Sequence, residues 1–150
     1  MTPPISLDRV AAYRSIRDEV WRVAGVVEVG TARNVDAALR KAINVPAVFP
    51  LYNSGSSKGR NVANHRTKNL DLDLSLIVVT EDFFSDERAH ESALGLIDAL
   101  TDRFDGFTPA TCKKPLDYVR DEFVIQNGER VAYEVFFSTR AEAFLTPRPA

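Results

Sequence analysis

Between residues 69 and 79 the chain reads NLDLDLSLIVV, and this stretch limits the possible folds more than any other. Leu70, Leu72, Leu74, Leu76 and Val78 recur at every second position, with Asp71, Asp73 and Ser75 between them. A period of two belongs to a β-strand, whose successive side chains point to opposite faces. A helix would scatter the same leucines around its circumference. One face of this strand is therefore apolar and has to be buried. The opposite face begins polar and turns apolar at Ile77 and Val79, which predicts cover on both sides at that end.

Two helices are available to supply the cover. Val10, Tyr13, Ile16, Val20 and Val23 fall at spacings of three and four, predicting a helix from about Leu7 to Val23. Ser6 or Asp8 can cap it, Gly25 stops it, and Trp21 beside the stripe is expected to pack. Ala89, Ala93, Leu96, Ile97, Leu100 and Phe104 define a second helix, Asp86 to Phe104, capped by Ser85 and ended by Gly106. A short helix is expected over Asp36 to Ala42. Further strands are expected at VVEVGTA and at Ala47 to Tyr52, where Pro50 favours an edge or a bulge. A hairpin, Tyr118 to Ile125 and Val131 to Phe137, turns at Asn127-Gly128, a strong turn signal. A two-residue turn there would set Asp121 opposite Glu134, like charge against like, unless a bulge shifts the register.

The expected fold is α+β: a mainly antiparallel sheet of about four to five strands with two main helices packed against it. At 150 residues one domain is expected. It should span 6–140, between a flexible N-terminal arm, 1–5, and a C-terminal tail, 141–150. A long polar loop, 53–69, interrupts it. That loop contains Lys58, Arg60, His65, Arg66 and Lys68 and no acidic residue. Loops of this length are commonly functional or disordered.

Net charge is −2, so the whole molecule has no general attraction for nucleic acid or anionic lipid. The single cysteine, Cys112, cannot form an internal disulfide and suits a reducing compartment. No apolar run approaches the roughly 18 residues of a membrane span, and MTPPISLDR does not have the form of a signal peptide. A cytoplasmic protein with no membrane partner is expected. His65 and His90 are far apart, without metal-ligand spacing, and SGSSKGR lacks the Lys-Ser or Lys-Thr ending of a Walker loop. No metal or cofactor is expected.

One enzymatic alternative remains. Polymerase-β-type nucleotidyltransferases have a Gly-Ser turn, an acidic-apolar-acidic-apolar strand and a third carboxylate on a neighbouring strand. Here Gly55-Ser56, Asp71 and Asp73 in DLDL, and Glu134 in VAYEVFF match that order, and carboxylates two apart on a strand could share Mg2+. Against this, 14 residues separate Ser56 from Asp71, Leu70 replaces a small polar residue, and no nucleotide pocket is evident. A solvated or interface strand face is the plainer reading of the same pattern.

The stretch LTDRFDGFTPATCKKPLDYVRDEFVIQNGERVAYEVFFST, Leu100 to Thr139, is more distinctive. A helix ends in Asp105-Gly106-Phe107 before Pro109, a link follows to Pro115-Leu116, and a hairpin finishes on VAYEVFFST. Upstream, PAVFPLYNSG enters the long loop. From about Ser6 to Thr139 this succession resembles the tail terminator proteins of long-tailed bacteriophages, especially the contractile-tail, Mu-like branch. The resemblance implies a non-enzymatic structural protein of the virion tail, assembled in the bacterial host cytoplasm. It implies a hexameric ring that caps the tail tube and sheath, ends their polymerisation and joins the tail to the head-neck connector protein, with DNA only as passing cargo. Its partners would be copies of itself, the tail tube protein, the tail sheath protein and the connector. The interface candidates are then Lys58, Arg60, Arg66 and Lys68 of the loop, Asp71 and Asp73 toward the lumen or a subunit contact, and Phe136. Phe136 and Phe137 are adjacent on a strand and must point to opposite faces.

Overall fold

The structure, a computed structural model, describes residues 5–57 and 67–145. Among these residues eight elements follow in the order α1 (Arg9–Val20), β1 (Glu28–Val29), α2 (Val35–Lys41), β2 (Ala47–Ser57), β3 (Thr67–Glu81), α3 (Asp86–Phe104), β4 (Asp117–Asn127) and β5 (Arg130–Phe144). The strands form one sheet in the order β1-β2-β3-β5-β4. Only β1 against β2 is parallel. The protein is an α+β fold with a mostly antiparallel five-stranded sheet, as the sequence pattern implies.

The alternating stretch lies in the central strand. Leu74, Leu76 and Val78 join one core with Ile16 and Val20 of α1, Leu96, Leu100 and Phe104 of α3, and Val135 and Phe137 of β5, while Leu70 and Leu72 pack with Ala141 and Ala143 in a smaller cluster. The α3 helix spans the expected residues because both ends carry their own signals: Ser85 Oγ accepts from the Arg88 amide, and Gly106 follows at φ +90°. The first helix is shorter than expected. Asp8 is its cap, accepting from the Val10 and Ala11 amides. Ala12 takes the buried position that the spacing assigned to Val10, which is 57% exposed. Trp21, expected to pack, is 52% exposed.

The predicted double cover at the far end of β3 is present. Ile77 and Val79 pack with Ala132, Ala47 and Phe49 against Ala38, Leu39 and Ala42. Thus α2 seals one end of the second sheet face, while α1 and α3 cover the first.

Several strand limits differ from the sequence reading, beginning with β1, expected over VVEVGTA and confined to Glu28–Val29. The β2–β3 ladder continues through the polar segment: Ser54 pairs with Asp73, Gly55 with Leu72 and Ser57 with Leu70. So 53–57 and 67–69 belong to strands and not to a loop. Backbone pairing needs no apolar side chains, and polarity therefore misplaced this boundary. Pro50 lies in β2 beyond its short pairing with β1, and a bulge follows between Tyr52 and Ser54. On the last strand, Thr67 pairs with Phe144, so 141–144 belong to the sheet and not to a tail. The loop residues Lys58, Arg60, His65 and Arg66 lie outside the described residues, as do 1–4 and 146–150.

The hairpin turn also shifts. Asn127 pairs with Arg130, making Gly128-Glu129 the two-residue turn, with positive φ at Gly128. That matches a turn requiring glycine only at its first central position. A bulge at Val124 then changes the register, so Asp121 faces Val135 and Glu122 faces Glu134, and a second bulge at Val119 brings Tyr118 opposite Phe137.

Cys112 is half-buried against the small cluster of Leu70, Leu72, Ala141 and Ala143. Burial pushes its thiol up to about 11. Because the thiolate is the reactive form, alkylation of the folded protein at pH 8 should be slowed about a hundredfold relative to an unperturbed cysteine. Thiol titration in buffer and in denaturant checks this; equal rates would place Cys112 in open solvent.

Candidate functional site

The uncovered end of the second sheet face contains most of the described residues singled out from the sequence. In the β3–β5 ladder, Asp71 pairs with Arg140, Asp73 with Ser138, Ser75 with Phe136 and Ile77 with Glu134. All eight residues point to this face. Arg140 Nε lies 3.2 Å from Asp71 Oδ1, and Ser54 Oγ donates to Asp73 Oδ2 at 3.0 Å. Asp73 is exposed and Asp71 half-buried. Lys68 is half-buried and pairs with Ala143 near the end of the same ladder.

An open concavity of about 770 Å³ lies here. Asp71, Asp73 and Ser56 form one side; Ser138, Arg140, Lys114, Pro115 and Asp117 form the rest. Three carboxylates thus stand among two cations. Such a floor neither concentrates positive charge for a phosphate nor gathers anionic ligands around a metal. Sequence reasoning missed Lys114 and Asp117, because only the fold returns the segment after α3 to the sheet. Thr139 Oγ1 holds that segment by donating to the Lys114 carbonyl, and the Lys113 and Lys114 amides both donate to the Arg140 carbonyl.

The structure brings Asp71 and Asp73 together but keeps Glu134 away. Glu134 lies opposite Ile77, four residues along β5 from the partner of Asp73, a separation of about 14 Å at strand rise. Its carboxylate accepts from Ser75 Oγ at 2.6 Å. Among the described residues no group of three or more His, Cys, Asp or Glu side chains could hold a metal. Gly55-Ser56 is not a turn, since both residues are paired within β2. Gly55 has a packing reason: a Cβ there would press on the Tyr52 hydroxyl and lie 3.1 Å from Leu72 Cδ2.

Saturating Mg2+ should accordingly leave the thermal midpoint unchanged, because a ligand stabilises only a state that binds it. Asp71→Asn should cost no more than about 1 kcal/mol, as expected for a pair whose Arg140 side chain is 70% exposed. A magnesium-dependent rise in midpoint that Asp71→Asn abolished would contradict this geometry.

Phe136 and Phe137 separate as adjacent strand residues must. Phe137 is 2% exposed in the main core. Phe136 is half-buried on the opposite face, with the Arg120 guanidinium carbon 4.0 Å from its ring centroid.

A second feature was not singled out from the sequence. Every residue of β4 is exposed. Tyr118, Val119, Phe123, Val124 and Ile125 are 37–50% exposed, although they would suit a covered strand. The adjacent pair Tyr118-Val119 and the run Phe123-Val124-Ile125 were the available signal: apolar side chains on both faces of a strand at a sheet edge.

This sheet, with two long helices on one face and an open polar patch on the other, describes a small α+β subunit with an exposed edge strand. Among solved structures, a chain of "Virion of native gene transfer agent (GTA) particle" has a similar fold, with a TM-score of 0.56, 11% identity, and 89% of this chain and 93% of that chain covered. No curated protein sequence matches. The family described as "Phage tail terminator protein" matches residues 7–143, and the chain belongs to it. It is a structural protein of the phage virion tail.

Proposed function

We propose that this protein closes into a hexameric ring on the end of the tail tube. The ring ends growth of the tube and sheath proteins and offers its other end to the head-neck connector. The observation that carries the ring is β4, an 11-residue edge strand exposed along its whole length. Soluble proteins normally blunt, cover or pair such an edge. Family membership supplies the tail context.

In this reading the sheet face bearing Asp71 and Asp73 lines the lumen, and α1 and α3 lie outside. Arg140 shares the charge of Asp71, so Asp73 and Asp117 carry the exposed negative charge there, with Lys114 beside them. A lumen of nearly balanced charge passes DNA without holding its phosphates. Assembly takes place in the host cytoplasm, where Cys112 stays reduced.

Native mass spectrometry of the purified protein, followed by its addition to growing tail tubes, tests the proposal. The expected results are a six-subunit species and tubes that stop lengthening with the protein at one end. Continued growth in the presence of excess protein would refute the capping role.

A further inference from the structure

The ring reading leaves open which surfaces meet. We infer that β4 of one copy pairs with the open stretch of β2, Leu51–Ser57, of the next, so that the sheet continues from subunit to subunit. This rests on the proposed ring and specifies its seam. The occupant of the β4 edge is a second copy of this chain.

The two edges have compatible directions. In the order β1-β2-β3-β5-β4, every neighbouring pair from β2 to β4 is antiparallel. Hence β2 and β4 run oppositely. Rotating a copy about an axis along the strands preserves strand direction, so β4 meets the neighbour's β2 antiparallel. Among the described residues, the outer side of β2 is paired only at its start, where Ala47 and Val48 pair with β1. Leu51–Ser57 contains no proline and can donate its amides. Since the two edges differ, the contact is heterologous and can close a ring.

Charge favours the same partner. The β4 strand bears Asp117, Asp121 and Glu122 against one arginine. Beside β2, residues 9–22 carry four arginines against two acids. Asp121 pairs with Val135, a core residue on the helix-covered face, and therefore approaches the side on which the neighbour's α1 lies. A β4–β4 contact would instead oppose like charges. The exposed apolar side chains Val119 and Phe123 gain cover in the same contact.

The test uses the full chain with Cys112→Ser, Asn53→Cys on β2 and Val124→Cys on β4, joined by a short bismaleimide while native mass spectrometry reports assembly. A covalent ladder extending beyond the dimer is expected. Covalent dimers alone, also formed by Val124→Cys without Asn53→Cys, would show β4 pairing with itself and overturn the seam. Six-subunit rings without cross-links would overturn the seam and leave the ring reading standing. Monomers without cross-links even at about millimolar concentration, where contacts near 4 kcal/mol are populated, would remove both. As a second variant, Val119→Lys with Val124→Lys should raise the ring-forming concentration at least about tenfold while the thermal midpoint of the dilute, unassembled subunit stays unchanged, because charge on an edge strand resists pairing. Unchanged assembly of that variant would also overturn the seam.

Discussion

Phe137→Ala is expected to lower folding stability by about 3–5 kcal/mol, whereas Phe136→Ala, one residue away, should cost about 1–2 kcal/mol. Phe137 is 2% exposed and sits among buried side chains from β3, α1 and α3. Its ring centroid lies 6.0 Å from that of Phe104. Removing it leaves a cavity that the two long helices cannot both close. Phe136 occupies the opposite face, beyond the cover of α2, and loses only partial burial and its contact with Arg120. Denaturant unfolding of each variant, with slopes unchanged, measures both losses. Equal losses would mean that the faces are wrongly assigned. In the proposed ring the order can reverse: Phe136→Ala should weaken assembly if a neighbour covers that side chain, while the isolated subunit remains folded.

Arg130→Met is expected to cost about 2–4 kcal/mol and to loosen α2 selectively. Arg130 Nη1 donates to the Leu39 carbonyl at 2.9 Å and to the Ala42 carbonyl at 2.6 Å, and Nε donates to Glu81 Oε1 at 3.3 Å. Carbonyls at a helix C-terminus lack intrahelical partners, and a cation there answers both their hydrogen-bonding need and the helix dipole. The Arg130 and Glu81 side chains are 24% and 17% exposed, so solvent screens the pair less than a surface ion pair. Methionine retains the aliphatic stem but removes every donor. Hydrogen exchange should then accelerate at Ala38 to Ala42, while the β3–β5 amides stay protected. Unchanged exchange in α2 would show that Ala37, Ala38 and Leu39 hold the helix by packing alone.

The β4 edge connects these stability predictions with assembly. Among the described residues it is attached to the sheet through β5 alone, and its apolar side chains stay exposed. A neighbouring subunit would stabilise it by mass action, raising the thermal midpoint with protein concentration. The flanking bulges at Val119 and Val124 leave Arg120–Phe123 as an uninterrupted central segment, the part of the edge best suited to another strand.

The sequence by itself determined the elements whose information is local. Asp86 to Phe104 was legible because a capping serine, a stripe at helical spacing and a glycine stop all lie within that segment. The central strand and its two-sided cover at Ile77 and Val79 were legible because side-chain alternation reports directly on the faces. Only the tertiary structure decided the strand limits, the registers and the open surfaces. Gly128 carries the positive φ, but the shifted turn and the bulge at Val124 decide that Glu122, not Asp121, meets Glu134. Asp71, Asp73 and Glu134 share a face, yet the ladder separates Glu134 from the aspartates. The apolar residues of β4 look fit for a core, but the helices on one face and α2 on the other leave that strand exposed. Local periodicity says which way a side chain points; the pairing of segments far apart in the chain determines what lies opposite it.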